Sequence, residues 1–186
     1  MIRFDRAGTL AARVRLRISQ ALAYRLAANA AIQIPPRLAS LVNDAIAPHF
    51  LALQPADRAH LVAVATRLRD CGGSEDLVTA GLLHDIGKAV PRLHIGLVDR
   101  TANVVLRAIW PHALRRIATL DRPPKIGSGL WAVARHAKAG AAILASTGYG
   151  QRVQWLVANH ERIDLDDGEL NLLVAADSAS ANLPTR

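Results

Sequence analysis

Residues 84–88 read His-Asp-Ile-Gly-Lys and follow an apolar stretch that begins at Leu77. The adjacent His84 and Asp85 put an imidazole and a carboxylate on the same side of a turn at a predicted helix end. A buried carboxylate and a buried imidazole each need a partner, so this pair is poorly suited to a hydrophobic core. It is well suited to holding a metal ion, which requires further ligands from elsewhere in the chain.

Four of the seven histidines form two pairs with the same spacing. His60 precedes His84 by 24 residues, and His136 precedes His160 by 24 residues. In each pair the first histidine lies within one predicted helix and the second near the end of the next. Taken alone, each histidine is more often a surface or hydrogen-bonded core residue. Asp177 adds a carboxylate from an apolar final helix. The occurrence of these four histidines and two carboxylates in one chain favours a metal centre. The six predicted ligands are His60, His84, Asp85, His136, His160 and Asp177.

The number and type of these ligands predict two metal ions with Asp85 between them. Six donors are more than one tetrahedral ion requires. Mixed imidazole and carboxylate donors suit Fe, Mn, Zn, Co or Ni better than an all-oxygen Mg or Ca site. Two such ions can hold a hydroxide and clamp a phosphoryl group. Lys88, one turn beyond the pair, could steer a phosphate oxygen. Asp85 and Lys88 are therefore the predicted catalytic residues.

The composition of this 186-residue chain favours helices. Hydrophobic residues make up 51% of it and aromatic residues only 4%, so the core must be aliphatic and rich in Ala and Leu. Apolar periodicity and breaker residues predict helices, with Pro111 bending the fifth. Their ranges are 7–31, 38–53, 55–71, 74–87, 100–119, 130–146, 151–161 and 168–181. Little of the sequence is typical of strands, and the predicted fold class is all-α.

The net charge of +8 is concentrated near the start of the chain, where residues 1–50 hold seven arginines and two aspartates. This asymmetry fits an arm that contacts an anionic surface, either nucleic acid or lipid headgroups. A solvated helix face or an oligomer contact is the more common origin of such a pattern. No aromatic residues interleave with the arginines, and no nucleic-acid-binding motif is visible.

The sequence also predicts the cellular compartment of the protein. No apolar run approaches the roughly 18 to 20 residues of a membrane span, and the start lacks the apolar region of a secretory signal. The single cysteine, Cys71, cannot form an internal disulfide, which fits a reducing compartment. The predicted location is the cytoplasm.

The ordered motifs resemble those of the HD-domain superfamily of metal-dependent phosphohydrolases. The strings are HLVAVATRL, GLLHDIGK, HAKAGAAIL, NHE and LVAADSASA, which lie within about residues 55–181. The resemblance implies an all-α HD-domain helical bundle that hydrolyses phosphate esters or anhydrides by metal-bound hydroxide, with Lys88 assisting phosphate binding. It implies that one ion is held by His60, His84, Asp85 and Asp177. It implies that a second ion is held by His136 and His160, with Asp85 bridging.

Two branches of this HDIG-type superfamily are similar to the chain. The HD-GYP cyclic-di-GMP phosphodiesterases share the HDIGK string and the region of His136. This chain, however, has NHE at residues 159–161 and no Gly-Tyr-Pro loop after it. The 17-residue step from His160 to Asp177 is more similar to the HD-type symmetrical dinucleoside-tetraphosphate hydrolases. The expected substrate is therefore a nucleotide or another phosphorylated small molecule.

A non-catalytic alternative stays open, in which the chain is a metal- or nucleotide-binding signalling module on the same scaffold. Degenerate relatives normally lose ligand residues, whereas all six are present here. Residues 1–54 are predicted to form a basic N-terminal helical segment. Residues 55–186 are predicted to form the HD-type phosphohydrolase domain, and an oligomer is compatible with the sequence.

Overall fold

The computed structural model describes residues 34–89, 99, 102, 105, 106, 110–120, 122, 124, 127–162 and 164–180. The helix predicted over residues 7–31 lies outside the described residues. So do the arginines of the predicted N-terminal arm, except Arg37, and most of the predicted loop over residues 90–99.

The described part of the chain is helical and contains no strand, which confirms the all-α prediction. The helices are α1 (Pro36–Ala39), α2 (Ala47–Ala52), α3 (Pro55–Asp70), α4 (Glu75–Leu83), α5 (Pro111–Ala118), α6 (Ser128–Ser146), α7 (Gln151–Asn159) and α8 (Gly168–Ser180). A 3₁₀ turn, Ile86–Lys88, follows α4. None of the helices described here combines the length and the apolar character that crossing a bilayer requires.

The single helix predicted over residues 38–53 is wrong, because the chain turns between α1 and α2. In that turn the side-chain oxygen of Asn43 accepts a hydrogen bond from the backbone N–H of Ile46 at 2.9 Å. Pro48 occupies the first turn of α2, where its missing N–H costs no hydrogen bond. Inside a longer helix, the Pro48 ring would clash with the carbonyl group four residues earlier.

The helix that leads into the pentapeptide starts as predicted and ends earlier. Ser74 caps α4 by accepting a hydrogen bond from the N–H of Leu77 at 3.1 Å. The helix ends at Leu83 rather than at Gly87, and His84 occupies the C-cap position. The tighter 3₁₀ turn then redirects the chain, so Asp85 lies between two helical elements.

The helix predicted over residues 100–119 is described only in part. Residues 99, 102, 105 and 106 are helical, Trp110 is not, and α5 begins at Pro111. Proline therefore starts a helix here instead of bending one, in keeping with its preference for the first helical position. Helices α6, α7 and α8 begin and end within two residues of their predicted bounds.

An aliphatic core joins the N-terminal part of the described chain to the later helices. Leu38, Ile46 and Phe50 are buried in the same cluster as residues of α3, α4, α7 and α8. Tyr149, between α6 and α7, donates a hydrogen bond from its hydroxyl to the carbonyl of Leu41 at 2.8 Å. The chain before α3 thus packs against the helices that carry the predicted ligands. The domain boundary after residue 54 stays a prediction.

Helix packing brings together the two pairs of helices that carry the histidines, since α4 packs on α7. Helix α3 packs on α4, α6 packs on α7, and α8 packs on α3. The 3₁₀ turn lies against α6, where the backbone of Gly87 passes the carbonyl of His136. A Cβ atom on Gly87 would overlap that carbonyl and lie 2.6 Å from the N atom of Gly140. Only glycine permits this approach, which brings the turn with Asp85 next to α6.

Candidate metal centre

The six side chains predicted as ligands lie in one cluster. Each comes from a different place in the fold: His60 from α3, His84 from the end of α4, Asp85 from the following turn, His136 from α6, His160 from the end of α7 and Asp177 from α8. The cluster brings together residues that are up to 117 positions apart in the sequence.

One side of the cluster, which we name the open half, consists of His60, His84 and Asp177. The Oδ1 atom of Asp177 lies 2.8 Å from Nε2 of His60 and 3.6 Å from Nε2 of His84. The donor atoms of these three residues all lie within 4.8 Å of one another. The side chains of His60 and Asp177 are 20% and 34% exposed, so solvent reaches this half.

The other side, which we name the closed half, consists of Asp85, His136 and His160. The Oδ1 atom of Asp85 lies 3.1 Å from Nε2 of His136 and 3.9 Å from Nε2 of His160. The side chains of Asp85, His136 and His160 are only 6%, 3% and 4% exposed. The Oδ2 atom of Asp85 lies 3.8 Å from Nε2 of His84, so Asp85 stands between the two halves.

Backbone carbonyl groups orient three of the imidazoles. The Nδ1 atoms of His84, His136 and His160 each lie close to the carbonyl oxygen of the residue three positions earlier. The distances are 3.0 Å to Gly81, 2.5 Å to Val133 and 2.7 Å to Val157. A carbonyl oxygen only accepts, so each Nδ1 carries a hydrogen, and Nε2 is the nitrogen left to bind a cation. Fixing the tautomer in this way is typical of metal-ligating histidines.

Both carboxylates are charged. Burial raises the pKa of Asp85, but Lys88, His84 and His136 outweigh it and hold that pKa well below its ordinary value. Burial also raises the pKa of Asp177, and the neighbouring imidazoles of His60 and His84 bring it far below its ordinary value. Two negative charges in such a confined site require positive charge nearby.

The imidazoles differ in their affinity for a proton. Burial lowers the pKa of His84, but Asp85 and Asp177 more than compensate and raise it to about 9. Burial lowers the pKa of His160 to about 3, with further contributions from His84 and His136. A cation that binds His84 at neutral pH must therefore displace a proton, whereas His160 has none to lose.

Two features of the nitrogen donors show that the cluster fits a metal ion. The Nε2 atom of His84 is buried and has no hydrogen-bond partner within the described part of the chain. The Nε2 atoms of His136 and His160 face each other at 3.1 Å. Two nitrogen donors at this separation can both bind one cation. Nitrogen and carboxylate donors in this mixture suit a divalent transition metal.

Lys88 lies at the edge of the cluster. Its ammonium group forms an ion pair with Oδ2 of Asp85, and its side chain is 15% exposed. The lysine is thus in contact with the carboxylate that joins the two halves. Its predicted role with phosphate stays a prediction.

The sequence-based ligand prediction gave no role to Glu161. Its carboxylate forms a third group with His136 and His160, in which the donor atoms lie within 4.8 Å of one another. The sequence signal is its position directly after His160, where α7 ends. The role of Gly87 in bringing Asp85 to α6 was also not predicted, because it depends on a contact between distant segments.

Comparison with known proteins agrees with this arrangement. The HD domain family matches residues 58–182, which is more than half of the chain and includes all six predicted ligands. Comparison with curated proteins and with solved structures found no match. Members of the family are generally metal-dependent phosphohydrolases, and the His and Asp groups of this chain could bind metal. The chain belongs to the HD domain family.

Proposed function

We propose that this protein is a metal-dependent phosphohydrolase that cleaves a phosphate ester or anhydride of a nucleotide-like substrate. The observation that carries the proposal is the meeting of four imidazoles and two carboxylates in one cluster. The buried Nε2 of His84 supports a cation at its centre, because it lies near the carboxylates of Asp85 and Asp177 and makes no hydrogen bond among the described residues. Family membership alone would not carry the proposal, since a fold supports many functions.

The halves of the cluster suggest how two ions would be held. His60, His84 and Asp177 would hold one, and His136 and His160 would hold the other, with Asp85 shared between them. Divalent ions at such a site polarise a phosphoryl group and lower the pKa of water. The carbonyl groups behind His84, His136 and His160 keep the Nε2 atoms aimed into the cluster. The ligands are thereby oriented before any substrate arrives.

We assign Lys88 to the phosphate group of the substrate. Its ammonium group lies next to Asp85 and is partly exposed, so it is held at the rim of the cluster. A lysine there can bind a phosphate oxygen as a point charge and orient the scissile bond. The open half is the more accessible side, and we propose that the substrate approaches over His60 and Asp177.

Among substrates, symmetrical dinucleoside tetraphosphates are the first candidates. The short step from His160 to Asp177 is similar to that of the HD-type hydrolases that cleave them, and cyclic-di-GMP is less favoured without the Gly-Tyr-Pro loop. A panel of dinucleoside polyphosphates, phosphodiesters and phosphomonoesters should be assayed with Mn, Fe, Co, Ni and Zn.

We expect metal-stimulated turnover of at least one substrate class, and none after exhaustive chelation. Absence of metal-stimulated turnover on every class would contradict the hydrolase proposal. Tight metal and nucleotide binding without hydrolysis would instead indicate the non-catalytic signalling module.

A further inference from the structure

Glu161 is the acidic residue closest in sequence to a predicted ligand of the closed half. Its carboxylate oxygen lies within 4.8 Å of donor atoms of His136 and His160. We propose that Glu161 is a further metal ligand, which completes a site with His136 and His160 for a divalent transition-metal ion. The inference rests on the metal-binding part of the proposed function.

The two histidines of this group bring two nitrogen donors to the same place. Their Nε2 atoms are 3.1 Å apart, and both Nδ1 atoms donate to backbone carbonyl groups. Both rings are buried, so these two Nε2 atoms have little access to bulk water. Two buried nitrogen donors at this separation can both bind one cation. Glu161 then supplies negative charge and an oxygen donor beside it.

Asp85 alone does not supply enough negative charge for an ion in the closed half. One of its oxygens pairs with Lys88, and the other lies 3.1 Å from His136 but 3.9 Å from His160. Asp85 also faces His84 of the open half, so its charge is divided between several cations. The carboxylate of Glu161 adds negative charge for the second ion to that of Asp85.

The resulting ligand set is chemically familiar. Two imidazoles, the carboxylate of Glu161 and the shared carboxylate of Asp85 form a mixed nitrogen and oxygen donor set of the kind that binds zinc in proteins. The same donors also accept Fe, Mn, Co and Ni. Glu161 is half-buried, in contrast to the two buried histidines of its group. We therefore expect the ion of the closed half to depend on Glu161 and the ion of the open half not to.

Glu161→Gln tests this assignment, because the amide keeps the size of the side chain and removes its charge. The matched control is Glu75→Gln, an exposed residue in the first turn of α4. Metal content after dialysis and the absorption spectrum of the cobalt(II)-substituted protein should be measured for both. We expect two ions in the wild type and in Glu75→Gln. We expect the second ion to bind at least about tenfold more weakly in Glu161→Gln.

Two further variants separate the two ions and test whether the charge of residue 161 matters. Asp177→Asn should weaken the other ion and leave the Glu161-dependent one in place. Glu161→Asp should bind the second ion more tightly than Glu161→Gln, because it restores the charge. Equal affinity in those two variants, or wild-type spectra and metal content in Glu161→Gln, would overturn the assignment. A wild-type protein with a single ion that only Asp177→Asn removes would also overturn it. A wild type that binds no metal would instead defeat the proposed function itself.

Discussion

The two halves of the cluster contain similar side chains in different surroundings. The open half has two imidazoles and the carboxylate of Asp177, and solvent reaches His60 and Asp177. The closed half has two imidazoles and the carboxylate of Asp85, all nearly inaccessible to water. In the open half, water can screen charge and solvate unpaired donors. In the closed half only other protein groups or a bound cation can do so.

This difference in exposure gives the two halves different roles. The charge of Asp85 is buried, so it must be balanced by Lys88, by the imidazoles around it or by a bound cation. The open half, reached by solvent, is where an ion can exchange and where a substrate can approach. Asp85 belongs to the closed half by burial but faces both halves, so it couples them.

The largest effect is expected for Asp85→Ala. Removing the shared carboxylate should weaken metal binding in both halves and lower turnover at least about a thousandfold, equivalent to ~4 kcal/mol. Metal content and turnover should be measured together. Asp70→Ala is the control, since Asp70 forms an exposed ion pair with Arg37 and belongs to none of the donor groups of the cluster. Asp85→Ala with two bound ions would show that the halves are not coupled through this residue.

The next effect is a pH dependence that differs between the halves. The pKa of His84 is raised to about 9, so below that pH a metal ion must displace a proton from the open half. Affinity there should rise about tenfold per pH unit, or roughly a hundredfold from pH 6 to pH 8. The pKa of His160 is lowered to about 3, so no proton leaves this residue over that range.

Competition with a chelator at pH 6, 7 and 8 measures these affinities. Asp177→Asn isolates the closed half, and its pH dependence should be the shallower one. A steeper dependence in that variant than in the wild type would reverse the assignment of the two halves.

A smaller effect is expected for Gly87→Ala. The added methyl group meets the backbone of α6 at the carbonyl of His136, so the turn and the helix must separate. We expect a loss of about 1–3 kcal/mol in the free energy of unfolding. Because Asp85 moves away from His136, the closed half should also lose affinity for its ion.

Gly168→Ala is the matched control, since a Cβ atom there meets nothing within 4 Å. Thermal unfolding and metal content distinguish the two variants. Wild-type stability in Gly87→Ala would show that the close approach does not hold the halves together.

The smallest effect is expected for Lys88→Ala, which should keep both ions and lower turnover about tenfold, as for a lost charge-assisted contact worth ~1.4 kcal/mol. The control is Lys138→Ala, an exposed lysine on α6. Steady-state kinetics with metal-saturated protein measures both. Unchanged kinetics in Lys88→Ala would exclude its role with phosphate.

The sequence alone predicts the donor residues of both halves. The imidazoles at 24-residue spacing and the adjacent His84 and Asp85 mark the donors without any three-dimensional information. Asp177 was predicted as a carboxylate on the apolar final helix, and it lies beside His60. The predicted donors meet in one cluster because polar groups in apolar helices are costly to bury unless they pair.

Other features depend on contacts that no local pattern contains. The approach of Gly87 to α6 depends on the packing of distant segments. Glu161 follows His160 directly in the sequence. Only the three-dimensional position of His136 shows that the carboxylate of Glu161 lies near two imidazoles. The turn between α1 and α2 was missed because apolar periodicity outweighed the signals of Asn43 and Pro48.

Anomalous diffraction from crystals of the metal-loaded protein tests the central claim most directly. The account predicts two metal peaks inside the cluster, one beside the Nε2 atoms of His60 and His84 and one beside those of His136 and His160. Nitrogen-to-metal distances should be about 2.0–2.2 Å. Metal peaks only at surface histidines, with the four imidazoles of the cluster turned away from any ion, would contradict it.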